Sequence, residues 1–322
     1  MTAPPPWSHP RSIVVALGGN ALARSGERAT IANQFRHTRE SLAPIVELAR
    51  EGWRIVLVHG NGPQIGDELV RNETAQDLVE TLPLGVLVAG TAGWIGYMIQ
   101  QSLQNALARA GVVREVVTVI TQTLVDPPET HLATPSKPIG HALPDASVER
   151  LRAREVPVGK DGAGKWRRLA SSPVPRGIVE APLIRQLADS GVIVIAAGGG
   201  GPPVFRHPTL GLEGVDAVVD KDRVAAILAT ELDSEVLVIL TDVDAIYHNW
   251  GQPDAAPIRR LTLDEALVML STSEVAAGSM RPKLEAAVTF LRAGGSRAVI
   301  AHLSDGLAAL AGHTGTTLVR TP

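Results

Sequence analysis

Cysteine is absent from the 322 residues, which excludes thiol nucleophiles, disulfides and zinc sites built on thiolates. The same absence suits a reducing cytoplasm. No long basic tract is present and the formal net charge is −3, so the electrostatic footprint of a nucleic-acid partner is missing. Neither the P-loop pattern nor the G-x-G-x-x-G dinucleotide fingerprint occurs, and none of the nine histidines pairs in sequence with a serine or acid as a triad would. Lysine is scarce: of 30 basic residues only five are lysine, at positions 137, 160, 165, 221 and 283. A compact ammonium serves where a broad guanidinium fork does not, so these five lysines are candidates before any motif is considered.

What the chain does have is a set of apolar runs that end in glycine. Val194-Ile195-Ala196-Ala197 carries no charge and reads as a buried strand of a parallel sheet. Gly198, Gly199, Gly200 and Gly201 leave it. Glycine costs backbone entropy and adds no packing, so four in succession mark a backbone that must approach something closely. At the C-terminal end of a strand in an α/β sheet, that something is a ligand, often a phosphate held by N–H groups. Residues 13–17 run likewise into Gly18-Gly19-Asn20, and residues 55–58 into His59-Gly60-Asn61-Gly62. The three exits read as one mouth.

Strands are predicted over residues 12–17, 54–58, 116–121, 192–197, 236–240, 297–301 and 316–319. Helices are predicted over 33–51, from 63 onward, up to about 111, and over 180–190, 222–232, 263–272 and 282–293. This alternation implies a three-layer αβα sandwich around an open, mainly parallel sheet, with 192–197 as the central strand. The uncharged stretch 81–108 is long enough to span a bilayer. However, Gly85, Gly90, Gly93 and Gly96, together with Gln100, Gln101, Gln104 and Asn105, favour a buried or interface helix. Residues 1–10 are proline-rich without a positive n-region and read as a disordered leader, not a signal peptide. Residues 124–175 concentrate proline and arginine and sustain no helical period, so they read as an inserted lobe of short strands and turns. Two linked α/β halves are expected, 11–179 and 180–322.

Two lysines have the framing of a phosphate site. Lys283 follows Gly278-Ser279-Met280-Arg281-Pro282 at a predicted helix start, where proline and small residues build an N-terminus able to face an anion. Lys221 lies between Asp220 and Asp222, soon after the glycine-rich exit. It reads as an ammonium aimed at a phosphoryl group in transfer, with Asp222 holding it. Lys137 is stiffened by Pro135 and Pro138 in the inserted lobe, a placement that suits a site residue and a surface residue equally. Lys160 and Lys165 lack such framing and read as solvated. His59 reads as a packed histidine, and Asp242 and Asp244 as an aspartate-rich turn after a strand, so no protein metal site is expected.

Taken together, these segments resemble the carbamate kinases of the amino acid kinase superfamily over nearly the whole chain. The matching stretches include Val14-Val15-Ala16-Leu17-Gly18-Gly19-Asn20-Ala21, His59-Gly60-Asn61-Gly62-Pro63-Gln64, Pro135-Ser136-Lys137-Pro138-Ile139-Gly140 and Gly164-Lys165-Trp166-Arg167-Arg168. Gln122 to Asp126, Ala196 to Gly201, Val219-Asp220-Lys221-Asp222 and Gly278 to Lys283 complete the set.

The resemblance implies a sheet of about eight strands, a small protruding subdomain matching 124–175, a cytoplasmic homodimer and a place in arginine metabolism. It also implies reversible phosphoryl transfer between ATP and carbamate, giving ADP and carbamoyl phosphate, with Mg2+. By that likeness Lys221 and Lys283 neutralise the phosphoryl group, Asp222 orients them, and Lys137 reaches in from the lobe. Gly18, Gly19, Asn20, Gly60, Asn61 and Gly62, with Gly198, Gly199 and Gly200, hold substrate and phosphates. Thr241, Asp242, Val243 and Tyr247, with Ser279 and Met280, border the nucleotide. The half 11–179 is then mainly the acceptor side and 180–322 mainly the nucleotide side. Two departures stand out. Ala16 occupies the place where many superfamily members carry a catalytic lysine, a loss that carbamate kinases share. Residues 271–277 differ from the family's usual glycine-histidine-phenylalanine approach to the Gly-Ser-Met turn.

Overall fold

The computed structural model describes residues 11–19, 22, 27–130, 135–272 and 280–321. The expected leader 1–10, Asn20, Ser279 and most of the unusual 271–277 stretch lie outside them. The chain begins with β1 (Ser12–Leu17), α1 (Ile31–Ser41), α2 (Ala43–Arg50), β2 (Arg54–His59), α3 (Gly62–Thr74), α4 (Leu84–Arg109) and β3 (Val116–Thr118). There follow β4 (Thr123–Leu124), β5 (Lys137–Ile139), α5 (Asp145–Arg152), β6 (Val158–Lys160), β7 (Trp166–Ala170) and β8 (Gly177–Ile178). The chain continues through α6 (Ala181–Asp189), β9 (Ile193–Ala196), β10 (Pro203–His207), β11 (Gly211–Gly214) and α7 (Lys221–Glu231). Next come β12 (Val236–Thr241), β13 (Ile246–His248), β14 (Ala256–Ile258), β15 (Arg260–Thr262) and α8 (Leu263–Ser271). The last elements are α9 (Met280–Arg292), β16 (Arg297–His302), α10 (Gly306–Leu310) and β17 (Thr316–Val319).

Eight strands form the main sheet in the order β15-β17-β16-β12-β1-β2-β9-β3. Every neighbouring pair is parallel except β16 with β17. Period-two alternation sends Val14, Ala16, Val56, Val58, Leu237 and Ile239 to one face, where they pack with residues of α6, α7, α8 and α9. Ile13, Val15, Leu17, Ile55, Leu57 and Val238 face the other way and meet α2 and α4. Strands buried on both faces read as unbroken apolar runs, which is why β1, β2 and β12 stand out in the sequence.

Four expectations are corrected. The predicted helix 33–51 is two helices broken at Leu42, because Pro44 at the start of α2 has no N–H to continue α1. The strand at 192–197 is second from the edge rather than central; β1 and β12 hold the centre. The strand predicted over 116–121 pairs only as Val116–Thr118. The proline-rich insert contains a helix, α5, which buries Val148 and Leu151, beside a separate three-stranded sheet, β5-β7-β6. That sheet is docked on α3: Arg168 pairs with Glu73, and His141 with Asp67 at 2.7 Å. The uncharged stretch forms α4, which buries Leu87, Val88, Ile95, Met98, Ile99 and Leu103 while leaving Tyr97 exposed. Among the described residues no helix is long and apolar enough to cross a membrane.

Candidate active site

Adjacent parallel strands end side by side, and their exits create a crevice at the C-terminal edge of the sheet. Gly18 and Gly19 follow β1, Gly60 to Gly62 follow β2, and Thr241 closes β12. These residues, with others from β5, α7 and α9, line a cavity of about 480 Å³, a size typical of small-ligand sites. Backbone approach is close here. Gly18 N–H donates to Leu240 O at 2.9 Å and Gly60 N–H to Leu17 O at 3.0 Å. A Cβ on Gly60 would sit 3.1 Å from Gly19 N and 3.3 Å from the Lys221 stem. The N-terminus of α3, at Gly62 and Pro63, opens on this cavity without a side-chain cap, leaving first-turn N–H groups for an anion.

The charged floor comes from two helix starts. Helix α7 begins with Asp220 as N-cap, then Lys221 and Asp222. Helix α9 places Lys283 in its first turn. The Asp222 carboxylate lies between them: Oδ1 accepts from Lys221 Nζ, and Oδ2 from Lys283 Nζ at 3.3 Å. Asp222 is 3% exposed and Lys283 7%, so these charges are held largely out of water. From the opposite wall Lys137 of β5 reaches Asp220 Oδ2 at 3.0 Å. Burial would raise the Asp220 carboxyl, but the charges of Lys137 and Lys221 and hydrogen bonds from Lys137 and the Arg223 backbone N–H outweigh it, holding it well below the usual carboxylate range. Three lysines thus converge on one pocket, all of them among the five that the sequence rations. Lys160 and Lys165 lie elsewhere; Lys160 sits over the Trp166 ring, 5.4 Å from its centroid.

His59 is fully buried beneath this floor. Burial pushes its ring down to about 4, Lys221 adds to the effect, and hydrogen bonding to the backbone opposes it. Its Nδ1 lies 3.1 Å from Gly60 O, which makes Nδ1 the protonated nitrogen. Among the described residues Nε2 has no partner and faces Gly198.

The other expected contacts divide. Asn61 lines the cavity and donates from Nδ2 to Thr91 Oγ1 at 2.9 Å. Of the four consecutive glycines only Gly199 lines it. Gly198 and Gly200 are buried and serve close packing: a Cβ would strike the His59 ring at the first and the Val219 carbonyl at the second. Gly199, Gly200 and Gly201 all have positive φ, from 67° to 91°, a conformation that glycine adopts without strain. Thr241 and Asp242 border the cavity, whereas Val243, Tyr247 and Met280 do not. Tyr247 donates to Asp244 at 3.0 Å and meets Trp250 edge-on; Met280 packs against the core. Gly140, His141 and Arg167 of the insert also line the pocket, and sequence reasoning misses all three as site residues. Arg167 holds the rim by donating to Gly140 O at 2.5 Å and Asp161 Oδ2 at 2.8 Å. Its only sequence signal is its place in Gly164-Lys165-Trp166-Arg167-Arg168.

Comparison with known proteins follows the same lines. Residues 11–302 match the model of the amino acid kinase family. A carbamate kinase of Pyrococcus horikoshii is 41% identical over 310 residues, 95% of this chain and 98% of that one. A carbamate kinase from Giardia lamblia bound to citric acid superposes with a TM-score of 0.91 at 35% identity, covering 97% of this chain and 99% of that one. The same Giardia enzyme bound to AMP-PNP gives 0.88 at 35% identity, with coverage of 97% and 99%.

Proposed function

The chain belongs to the amino acid kinase family, and we propose that the lysine-floored cavity is where it works. The activity is that of a carbamate kinase, a phosphotransferase passing a phosphoryl group between ATP and carbamate to give ADP and carbamoyl phosphate. The observation that carries the site reading is the Asp222 carboxylate shared by Lys221 and Lys283. Phosphoryl transfer asks the protein to position anions and offset their repulsion, with little covalent chemistry of its own.

A carbamate oxygen is already anionic near neutral pH, so its attack on the γ-phosphorus needs no general base. The bond to the β,γ-bridging oxygen breaks as the new P–O bond forms, and charge moves onto ADP. Lys221 and Lys283 are the groups that meet that charge, Asp222 keeps them apart and aimed, and Lys137 approaches from the insert. Asn61, Gly18, Gly19 and the uncapped start of α3 supply donors for substrate and phosphates. Residues 124–175 act as a protruding subdomain, 11–179 mainly as the acceptor side and 180–322 mainly as the nucleotide side. Thr241 and Asp242 border the nucleotide. Magnesium is best held by the nucleotide's own phosphates with one or two carboxylates and water. Asp242, exposed at the cavity edge, would be the carboxylate to hold it, while Asp220 and Asp222 bind lysines. Bound there, the ion would supply positive charge to offset that of the phosphates.

The enzyme works in the cytoplasm as a homodimer. The exposed Leu78, Val79, Leu82, Val86 and Tyr97 on and before α4 favour self-association there. The test is ATP formation from ADP, Mg2+ and carbamoyl phosphate, read by luciferase. Robust ATP production by wild type, lost in Lys221→Met and Lys283→Met, is expected. Turnover with N-acetylglutamate and ATP but none with carbamoyl phosphate would overturn the acceptor.

A further inference from the structure

In phosphoryl transfer Lys137, Lys221, Asp222 and Lys283 each have a part, and Asp220 has none. Yet Asp220 lines the same cavity, and a carboxylate is electrostatically wrong in a pocket meant for polyphosphate. Helix capping does not explain it, because asparagine or serine caps about as well. The two oxygens of this side chain are used differently. Oδ1 accepts from the backbone N–H of Asp222 at 3.0 Å and of Arg223 at 3.3 Å. Oδ2 accepts from Lys137 Nζ at 3.0 Å, which lies 3.5 Å from Val219 O as well. One carboxylate therefore ties the insert's lysine to the helix start that carries Lys221 and Asp222.

We propose that Asp220 is a positioning residue. Its Oδ1 fixes the first turn of α7 while its Oδ2 holds the Lys137 ammonium at the cavity wall, so that the ammonium is already in place when the anionic substrate arrives. The inference rests on the reading of this cavity as a phosphoryl-transfer site and adds a residue to it. The geometry supports a division of labour within the Asp-Lys-Asp triplet. Asp222 manages the pair Lys221 and Lys283, and Asp220 manages Lys137 from the other side of the pocket. A substrate oxygen that draws Lys137 inward exchanges one anionic partner for another, so the lysine is never left unpaired. Lys137 is 30% exposed in its side chain and Asp220 21%; the pair is partly shielded yet open to a ligand.

Asp220→Asn separates the two roles, because the amide oxygen still caps α7 while the amide nitrogen cannot accept from an ammonium. The first measurement needs no turnover: lysine acetylation by acetic anhydride, followed by peptide mass spectrometry on the ligand-free protein. Lys137 should be modified several-fold faster in Asp220→Asn than in wild type, with Lys160 and Lys165 unchanged as references. The second is a kinetic cycle with Asp220→Asn, Lys137→Met and the double variant. Loss of a charge-assisted bond predicts roughly a tenfold fall in kcat/KM for carbamoyl phosphate, a smaller change in KM for ADP, and no further fall in the double variant. Asp220→Ser, which keeps only the cap, should match Asp220→Asn. Unchanged Lys137 labelling, or single-variant losses that simply multiply, would overturn the assignment. A wild-type protein without phosphoryl transfer would instead remove the reading beneath it, while the labelling result would still report on the Asp220–Lys137 contact.

Discussion

Asp222→Asn removes the charge that the buried Lys283 and the half-buried Lys221 share, and the structure sets the size of the effect. Lys283 Nζ lies 3.3 Å from Asp222 Oδ2. Two unit charges at that distance attract by about 5 kcal/mol at an effective dielectric of about 20. The pair was desolvated to form, so the cost of breaking it is set by the buried ammonium that loses its carboxylate; such losses run about 3–5 kcal/mol. Asparagine keeps the volume and one acceptor, which puts this variant near the lower end, about 3 kcal/mol. Lys221 opens on the cavity and contributes less. Urea unfolding of the ligand-free protein measures the loss. The decisive variant combines Asp222→Asn with Lys283→Met, which exchanges the buried ammonium for an apolar chain of similar length. Because replacing a buried ion pair by apolar groups is often neutral, the double variant should regain most of the lost stability. ATP formation from ADP and carbamoyl phosphate should stay below about one-hundredth of wild type in both, since a transition-state charge partner is worth about 3 kcal/mol. Stability losses that add in the double variant, or an active Asp222→Asn enzyme, would refute the idea of a shared carboxylate.

Gly66→Ala would place a Cβ 2.5 Å from Gly140 Cα, forcing the insert away from α3; faster amide exchange across 137–170 and a lower kcat/KM are expected without global unfolding. Gly199→Ala puts a side chain at φ 67° and against the Asn61 amide, so it should cost about 1–3 kcal/mol in strain and raise KM, measured by urea unfolding and steady-state kinetics. His59 titrates with the opposite sign to a salt-bridged histidine. Its folded value, about 4, lies below its ordinary value of 6.5, so on acidification the unfolded chain takes the proton first. Stability is therefore present above pH 6.5 and falls toward pH 4 by up to about 3 kcal/mol, at about 1.4 kcal/mol per pH unit. His59→Gln should flatten that part of the profile in pH-dependent urea unfolding, and an unchanged slope would contradict the buried neutral ring.

The sheet was legible because its strands are buried on both faces, so β1, β2 and β12 appear as uninterrupted apolar runs. Their order was not. Nothing within 192–197 says that its neighbours are β2 and the three-residue β3, because strand order is fixed by contacts between distant segments. β15, three residues long, and the hairpin β10–β11 are too short or too polar to declare a period. α5 is hidden for a related reason: eight residues with two buried side chains leave no repeating stripe among the surrounding prolines.

For the site, the informative signal was scarcity. Glycine is plentiful, so Gly198 to Gly201 marked close approach correctly without saying to what; for Gly198 and Gly200 the neighbour is the protein itself. Lysine is rationed, and three of the five, Lys137, Lys221 and Lys283, meet at one cavity. The acids there follow from the same helix start. Asp220 is an extended N-cap, while Lys221 and Asp222 are the first helical residues and project about 100° apart, so the three do not share one direction. The N-terminal N–H groups of α7 favour negative charge, which makes carboxylates tolerable beside an anion site provided each is matched by an ammonium. Asp220 turns to Lys137 and Asp222 to Lys283, with Lys221 between them. Adjacency in sequence thus becomes alternation in space, and the pocket stays cationic although two of the three residues that open α7 are acids.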